Sequence, residues 1–158
     1  ISSRQKNILL IDDEANKGWG VVLKAIFSDA NFEVVSKMND ELFTLFYKRA
    51  NEKSLETNSE GLPKWDLVLL DLRLDENEDK GENANKLAKD YSGAILLDVI
   101  KKANEGTQVI IFTASNKAWN MRDLMEMGAD GFFIKESPEY SQDNGFSLNK
   151  IYCVICSK

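Results

Sequence analysis

Four apolar runs in this chain each end on residues able to do chemistry. Asn7–Ile11 runs into Asp12-Asp13-Glu14, Trp65–Leu72 carries Asp71 near its end, the β-branched run to Phe112 meets Thr113, and Gly131–Ile134 meets Lys135. Carboxylates gathered at one edge repel one another unless a proton or cation compensates. Hard oxygen ligands with room for water favour Mg²⁺, with Mn²⁺ as the alternative. A carboxylate oxygen can attack phosphorus to form an acyl phosphate, while a metal and an ammonium neutralise charge on the equatorial oxygens and a hydroxyl donates a hydrogen bond. Asp71, Thr113 and Lys135 suit those parts, and Asp12-Asp13 explains the need for a metal. The chain contains no histidine, which removes Ser-His-Asp and Cys-His catalysis and imidazole-ligated metals. One aspartate at a strand end is ordinarily a helix cap or a solvated turn. The weight therefore rests on the set.

The elements that must position this set alternate. Asn7–Ile11 reads as a doubly covered strand, Ala15–Ala30 as a helix with Val21, Val22, Ala25 and Ile26 in its apolar pattern, and Phe32–Val35 as a short strand. Asp40–Ala50 reads as a helix with Leu42, Phe43, Leu45 and Phe46 inward, and Trp65–Leu72 as the third strand. Gly93–Ala103 is helical through Ile95, Leu96, Val99 and Ile100, Thr107–Phe112 is a strand, Lys117–Met127 a helix stopped by Gly128, and Gly131–Ile134 the fifth strand. A final helix is expected from Pro138 onward. Residues 51–64 and 75–90 are polar, lack a sustained period and are expected as loop insertions. Five strands alternating with helices predict an α/β domain with a parallel sheet, right-handed crossovers and helices on both faces. In such sheets ligands bind beyond the carboxyl ends of the strands. Asp12, Asp13, Asp71, Thr113 and Lys135 all fall at that end.

The 158 residues fit a single domain spanning 1–158, with residues 1–5 expected as a disordered or expression-derived lead. A net charge of −6 argues against a nucleic-acid footprint or a polybasic membrane patch. No apolar run is long enough to cross a bilayer, and the first six residues lack the apolar core of a signal peptide, so the expected location is cytoplasmic. Cys153 and Cys156 have thiol-motif spacing, but no other cysteine or histidine completes a zinc site, and helix packing is the simpler reading. Asp75–Gly81 resembles the opening of an EF-hand loop, yet its glycine falls one place late and Lys86 stands at the twelfth position, which favours a solvated acidic loop. Leu124, Met125 and Met127 suit the core or a partner-facing helix.

Ile-Asp-Asp-Glu at 11–14, Leu-Val-Leu-Leu-Asp-Leu at 67–72, Ile-Ile-Phe-Thr-Ala-Ser at 110–115 and Gly-Ala-Asp-Gly-Phe-Phe-Ile-Lys at 128–135 resemble the motifs of response-regulator receiver domains, the CheY-like superfamily of two-component signalling. The resemblance covers nearly the whole chain. It implies a flavodoxin-like, doubly wound sheet of order 2-1-3-4-5. It also implies that Asp71 is the phosphoacceptor, that Asp13, Asp71 and the Arg73 backbone carbonyl ligate Mg²⁺, and that Asp12 assists through water. Thr113 matches the switch hydroxyl, Lys135 the lysine that bonds the phosphoryl group, and Phe132 the aromatic that changes rotamer on activation. The implied partners are a sensor histidine kinase or phosphotransfer protein, and a homodimer through the face made by the helix at 117–127, the fifth strand and the last helix. Such a chain is a signalling switch and not an enzyme in the ordinary sense.

Two departures stand out. Both insertions exceed the usual pattern, the second lying just after Asp71, and Glu136-Ser137 separate Lys135 from Pro138, where the family places proline directly after the lysine. They motivate an alternative, a degenerate receiver acting as a phosphorylation-independent interaction module. A haloacid-dehalogenase-type hydrolase needs a second aspartate two residues after the nucleophile, where this chain has Arg73.

Overall fold

The computed structural model describes residues 4–36, 65–75, 78, 87–103, 106–114 and 119–135. In chain order these form β1 (Asn7–Ile11), α1 (Trp19–Ile26), β2 (Asn31–Val35), β3 (Leu67–Leu70), α2 (Ser92–Ala103), β4 (Gln108–Thr113), α3 (Trp119–Glu126) and β5 (Gly131–Ile134), with 3-10 turns at Ala15–Lys17 and Ala88–Asp90. The strands pair in parallel in the order β2-β1-β3-β4-β5. This is the expected flavodoxin-like sheet. The helices expected at 40–50 and after Pro138, the 51–64 insertion and both cysteines lie outside the described residues.

Alternation along each central strand divides the core into two layers. Leu9 and Ile11 of β1, Val68 and Leu70 of β3, and Val109 and Ile111 of β4 face one layer, filled by Ala94, Leu97 and Ile100 of α2 and Leu124 of α3. Ile8, Leu10, Leu67, Leu69, Ile110 and Phe112 face the other, filled by Trp19 and Leu23 of α1 together with Phe27. Because both faces are covered, β1, β3 and β4 are almost wholly apolar, whereas edge strand β2 is half exposed.

Two helical faces differ from expectation. The helix expected at Ala15–Ala30 is broken at Gly18, whose φ of 118° lies in the left-handed region, so a 3-10 turn precedes α1. Its most buried residues are Trp19, Leu23 and Phe27, spaced four apart, and the expected Val22 and Ile26 pack, partly buried, against the same layer. Val21 is 74% exposed and Ala25 is also outside. A segment apolar at 19, 21, 22, 23, 25, 26 and 27 offers more than one stripe, and packing chose the one carrying both aromatics. In α2, Ile95 is exposed while Leu97 is fully buried. The Gly128 stop is borne out, with φ 101° two residues past Glu126, where α3 ends. Leu124 is core, Met127 packs against it, and Met125 faces outward.

Two segments expected as lead or loop carry specific contacts among their described residues. Arg4 was expected in a loose lead, but its guanidinium pairs with Asp66, whose other oxygen accepts the Asn7 backbone N–H at 2.8 Å. The acidic run after Asp71 keeps Asp75 exposed, yet Glu78 is buried rather than solvated. Among the described residues, no helix is long and apolar enough to cross a membrane.

Candidate phosphoryl-transfer site

The parallel ladder continues one residue past three of the strands. The Asp12 N–H donates to the Val35 carbonyl (3.0 Å), Asp71 N–H to Ile11 (2.9 Å) and Lys135 N–H to Thr113 (2.7 Å). Each functional side chain therefore leaves a backbone fixed by the sheet itself. Register aligns the ends, since Ile11 pairs with Val35 and Leu70, Leu70 with Ile111, and Thr113 with Ile134.

The result is a compact charged cluster. Ligand oxygens of Asp12, Asp13 and Asp71 all lie within 4.8 Å of one another. Lys135 Nζ donates to Asp12 Oδ2 at 2.9 Å and to Asp71 Oδ2 at 2.7 Å. Asp12 and Thr113 are fully buried, Asp71 and Lys135 nearly so, and Asp13 is half-buried. Asp12 Oδ1 also accepts the Glu14 N–H (2.9 Å), and Asp71 Oδ1 faces the Arg73 N–H at 3.5 Å. The Lys135 ammonium sits 5.7 Å from the centre of the Phe112 ring, on which Phe133 stacks and Trp19 packs edge-on.

Three carboxylates share this space with one ammonium, and the ionisation of each group reflects it. Burial pushes the Asp71 carboxyl above its ordinary value; the charge and hydrogen bond of Lys135 oppose this, the Asp12 charge adds to it, and a hydrogen bond from the Thr113 side chain offsets part. Asp13 is likewise raised, first by burial and then by the charges of Asp71, Asp12 and Glu14. Burial alone would lower the Lys135 ammonium, but Asp71 and Asp12 outweigh it and raise it, so the lysine stays charged. The excess of negative charge and the all-oxygen donor set fit a hard divalent cation. Asp12, Asp13 and Asp71 are the residues able to hold it.

The sequence-derived residues thus converge: Asp12, Asp13, Asp71, Thr113 and Lys135 meet at one edge, with the Arg73 backbone beside them. Phe132 stands apart in this respect. It is partly buried and packs against the core layer that contains Leu70 and Ile111. Sequence reasoning missed three neighbours. Gly93, at the start of α2, lies so close to β3 that a Cβ there would sit 2.1 Å from the Asp71 carbonyl oxygen. Ser92 donates its hydroxyl to Glu78 and accepts from the Leu74 N–H at 3.0 Å. Ser92-Gly93 before an apolar helix is a readable start signal, whereas nothing distinguishes Glu78 from the acids around it.

Solved structures that share this fold include response-regulator receiver domains. A response regulator receiver domain protein (CheY-like) from Methanospirillum hungatei JF-1 superposes with a TM-score of 0.54 at 19% identity, over 93% of this chain and 96% of that one. CheY in the CheX–CheY–BeF3–Mg²⁺ complex from Borrelia burgdorferi gives 0.60 at 19%, over 96% and 87%. A response regulator from Burkholderia pseudomallei with a phosphorylated aspartic acid, calcium ion and citrate gives 0.57 at 14%, over 95% and 66%. At these identities the likeness establishes the fold. No family model matches the sequence, and no curated protein matches it significantly.

Proposed function

We propose that this chain is a phosphorylation-operated switch of the two-component type, in which Asp71 accepts a phosphoryl group from a histidine kinase or phosphotransfer protein. The observation that carries the reading is the bridging of Lys135 between Asp12 and Asp71 inside a cluster of three acids at the carboxyl edge of the sheet. An Asp71 oxygen attacks phosphorus in line with the leaving group, forming a carboxyl–phosphate bond as the donor's bond to phosphorus breaks. Lys135 neutralises charge on the transferred group, and the Thr113 hydroxyl, already bonded to Asp71, can turn its hydrogen to a phosphoryl oxygen. Asp12, Asp13, Asp71 and the Arg73 carbonyl would hold Mg²⁺ or Mn²⁺, which when bound supplies Lewis-acid stabilisation of the equatorial oxygens. Burial favours the reaction by keeping water from these charges. Formation of the aspartyl phosphate then shifts the chain between two conformational populations that partners distinguish.

The test is Mg²⁺-dependent labelling of the intact chain by acetyl phosphate, followed by phosphate-affinity electrophoresis. Wild type labels and Asp71→Asn does not. A folded wild type that binds Mg²⁺ but never labels would overturn the proposal and leave an interaction module.

A further inference from the structure

Among the described residues, Glu78 is the buried carboxylate that the proposed chemistry does not use. It belongs to the insertion after Asp71, and only 8% of its surface is exposed. One oxygen accepts the Ser92 N–H at 2.8 Å. The other accepts the Ser92 hydroxyl at 2.8 Å and the Leu74 N–H at 3.3 Å. Together with the Leu74 N–H donating to Ser92 Oγ at 3.0 Å, the Glu78 side chain thereby ties the strand that has just left Asp71 to the first residue of α2, and orients the Ser92 hydroxyl that makes that bond. The neighbouring contacts leave little slack. Gly93 N–H donates to the Leu72 carbonyl at 3.0 Å, and the missing Cβ of Gly93 lets α2 press on the Asp71 and Leu72 backbone. Between these two fastenings lies Arg73, whose N–H faces Asp71 Oδ1.

We propose that Glu78 is a positioning residue for the Asp71 site, fixing the Asp71–Leu74 backbone to the start of α2 so that the Asp71 carboxylate and Arg73 carbonyl are held ready for a divalent cation. This rests on the metal-assisted reading above. The physical reason is preorganisation: a backbone carbonyl binds a cation well only if its direction is set beforehand, and loss of a supporting hydrogen bond typically weakens a metal site roughly 10-fold or more. The same insertion reaches further, because its closing 3-10 turn at Ala88–Asp90 packs against both α2 and α3. Glu78 and the turn at Ala88–Asp90 are therefore the described parts of this segment that bear on the site.

The experiment compares Glu78→Ala with Asp130→Asn, which loses the negative charge paired with Lys101, away from the cluster. Mg²⁺ affinity is measured by calorimetry and labelling by acetyl phosphate, with melting temperature recorded for each. The expected result is Mg²⁺ binding about 10-fold weaker in Glu78→Ala, labelling slowed at sub-saturating Mg²⁺ and restored at saturation, and both unchanged in Asp130→Asn despite its lower melting point. Glu78→Gln, which keeps one carbonyl acceptor, should fall between and serves if the alanine variant does not fold. Wild-type Mg²⁺ affinity in Glu78→Ala, or an equal loss in Asp130→Asn, overturns the positioning role while leaving the phosphoacceptor intact. A wild type that binds Mg²⁺ but does not label refutes the switch alone, and the calorimetry still decides on Glu78. A wild type that binds no Mg²⁺ refutes both.

Discussion

Replacing Asp13 by asparagine should make the metal-free chain more stable and the metal-bound chain less so. The Asp13 carboxylate faces Asp12 and Asp71 with ligand oxygens no more than 4.8 Å apart. At that separation one pair of like charges costs about 1 kcal/mol in a water-like medium and about 3.5 kcal/mol at an effective dielectric of ~20. Asp13 is half-buried and borders solvent, which places it near the lower figure, and attraction to Lys135 offsets part of the repulsion. A net gain of about 1 kcal/mol remains for Asp13→Asn, or about 3 °C in melting temperature for a chain of this length. The sign has a pH signature. An acid whose pKa is raised on folding, here chiefly by burial and then by Asp71, destabilises the folded state above that pKa, and the penalty disappears once pH falls below the unfolded value. The variant's advantage should therefore be full at neutral pH and fade in acid. Magnesium reverses the order: at a thousand times the wild-type dissociation constant it adds about 4.1 kcal/mol to wild type but only about 2.7 kcal/mol to a variant that binds about tenfold more weakly, a difference larger than the metal-free gain. Scanning calorimetry in EDTA and in Mg²⁺, at pH 7 and pH 4, reads all four cases. Asp13→Asn melting below wild type in EDTA at pH 7, or equal shifts on adding Mg²⁺, would refute the reasoning.

Lys135→Met removes the ammonium from two buried carboxylates and should cost about 3 kcal/mol in urea unfolding; a loss below about 1 kcal/mol would show that Asp12 and Asp71 are compensated otherwise. Gly93→Ala drives a methyl into the Asp71 carbonyl at 2.1 Å and the Leu72 backbone at 2.7 Å, and a destabilisation of about 3 kcal/mol, at the upper end for overpacking, is expected. Leu23→Ala should cost about 3 kcal/mol because its side chain is fully buried, while Val21→Ala, 74% exposed, should change stability by less than about 0.5 kcal/mol. The reverse ranking would mean that the face of α1 is misassigned.

The site was legible because its residues are punctuation. Asp12, Asp71, Thr113 and Lys135 each follow an apolar run, and a parallel sheet must gather such ends on one edge, so local patterning was enough to predict a long-range cluster. The helix faces were not legible to the same degree. Around α1 apolar residues occupy several stripes, and only the aromatic fit of Trp19 against Phe112 (5.1 Å, 88°) selects one. Glu78 was hidden for another reason: its burial depends on Ser92, fourteen residues further along, and no spacing rule connects a loop acid to a helix it has yet to meet.

Strand register gives this protein an uneven tolerance to change in length. A one-residue deletion inside β1 or β3 would turn its terminal aspartate to the opposite face of the sheet and exchange the two core layers at once. A longer crossover, by contrast, leaves every pairing from Ile11–Leu70 to Thr113–Ile134 as it is. Connections can therefore lengthen while the strands stay fixed, except where a connection itself holds a strand end, as Glu78 does after Asp71. The same asymmetry tells an engineer where a sensor or docking peptide can be spliced without disturbing the aspartates.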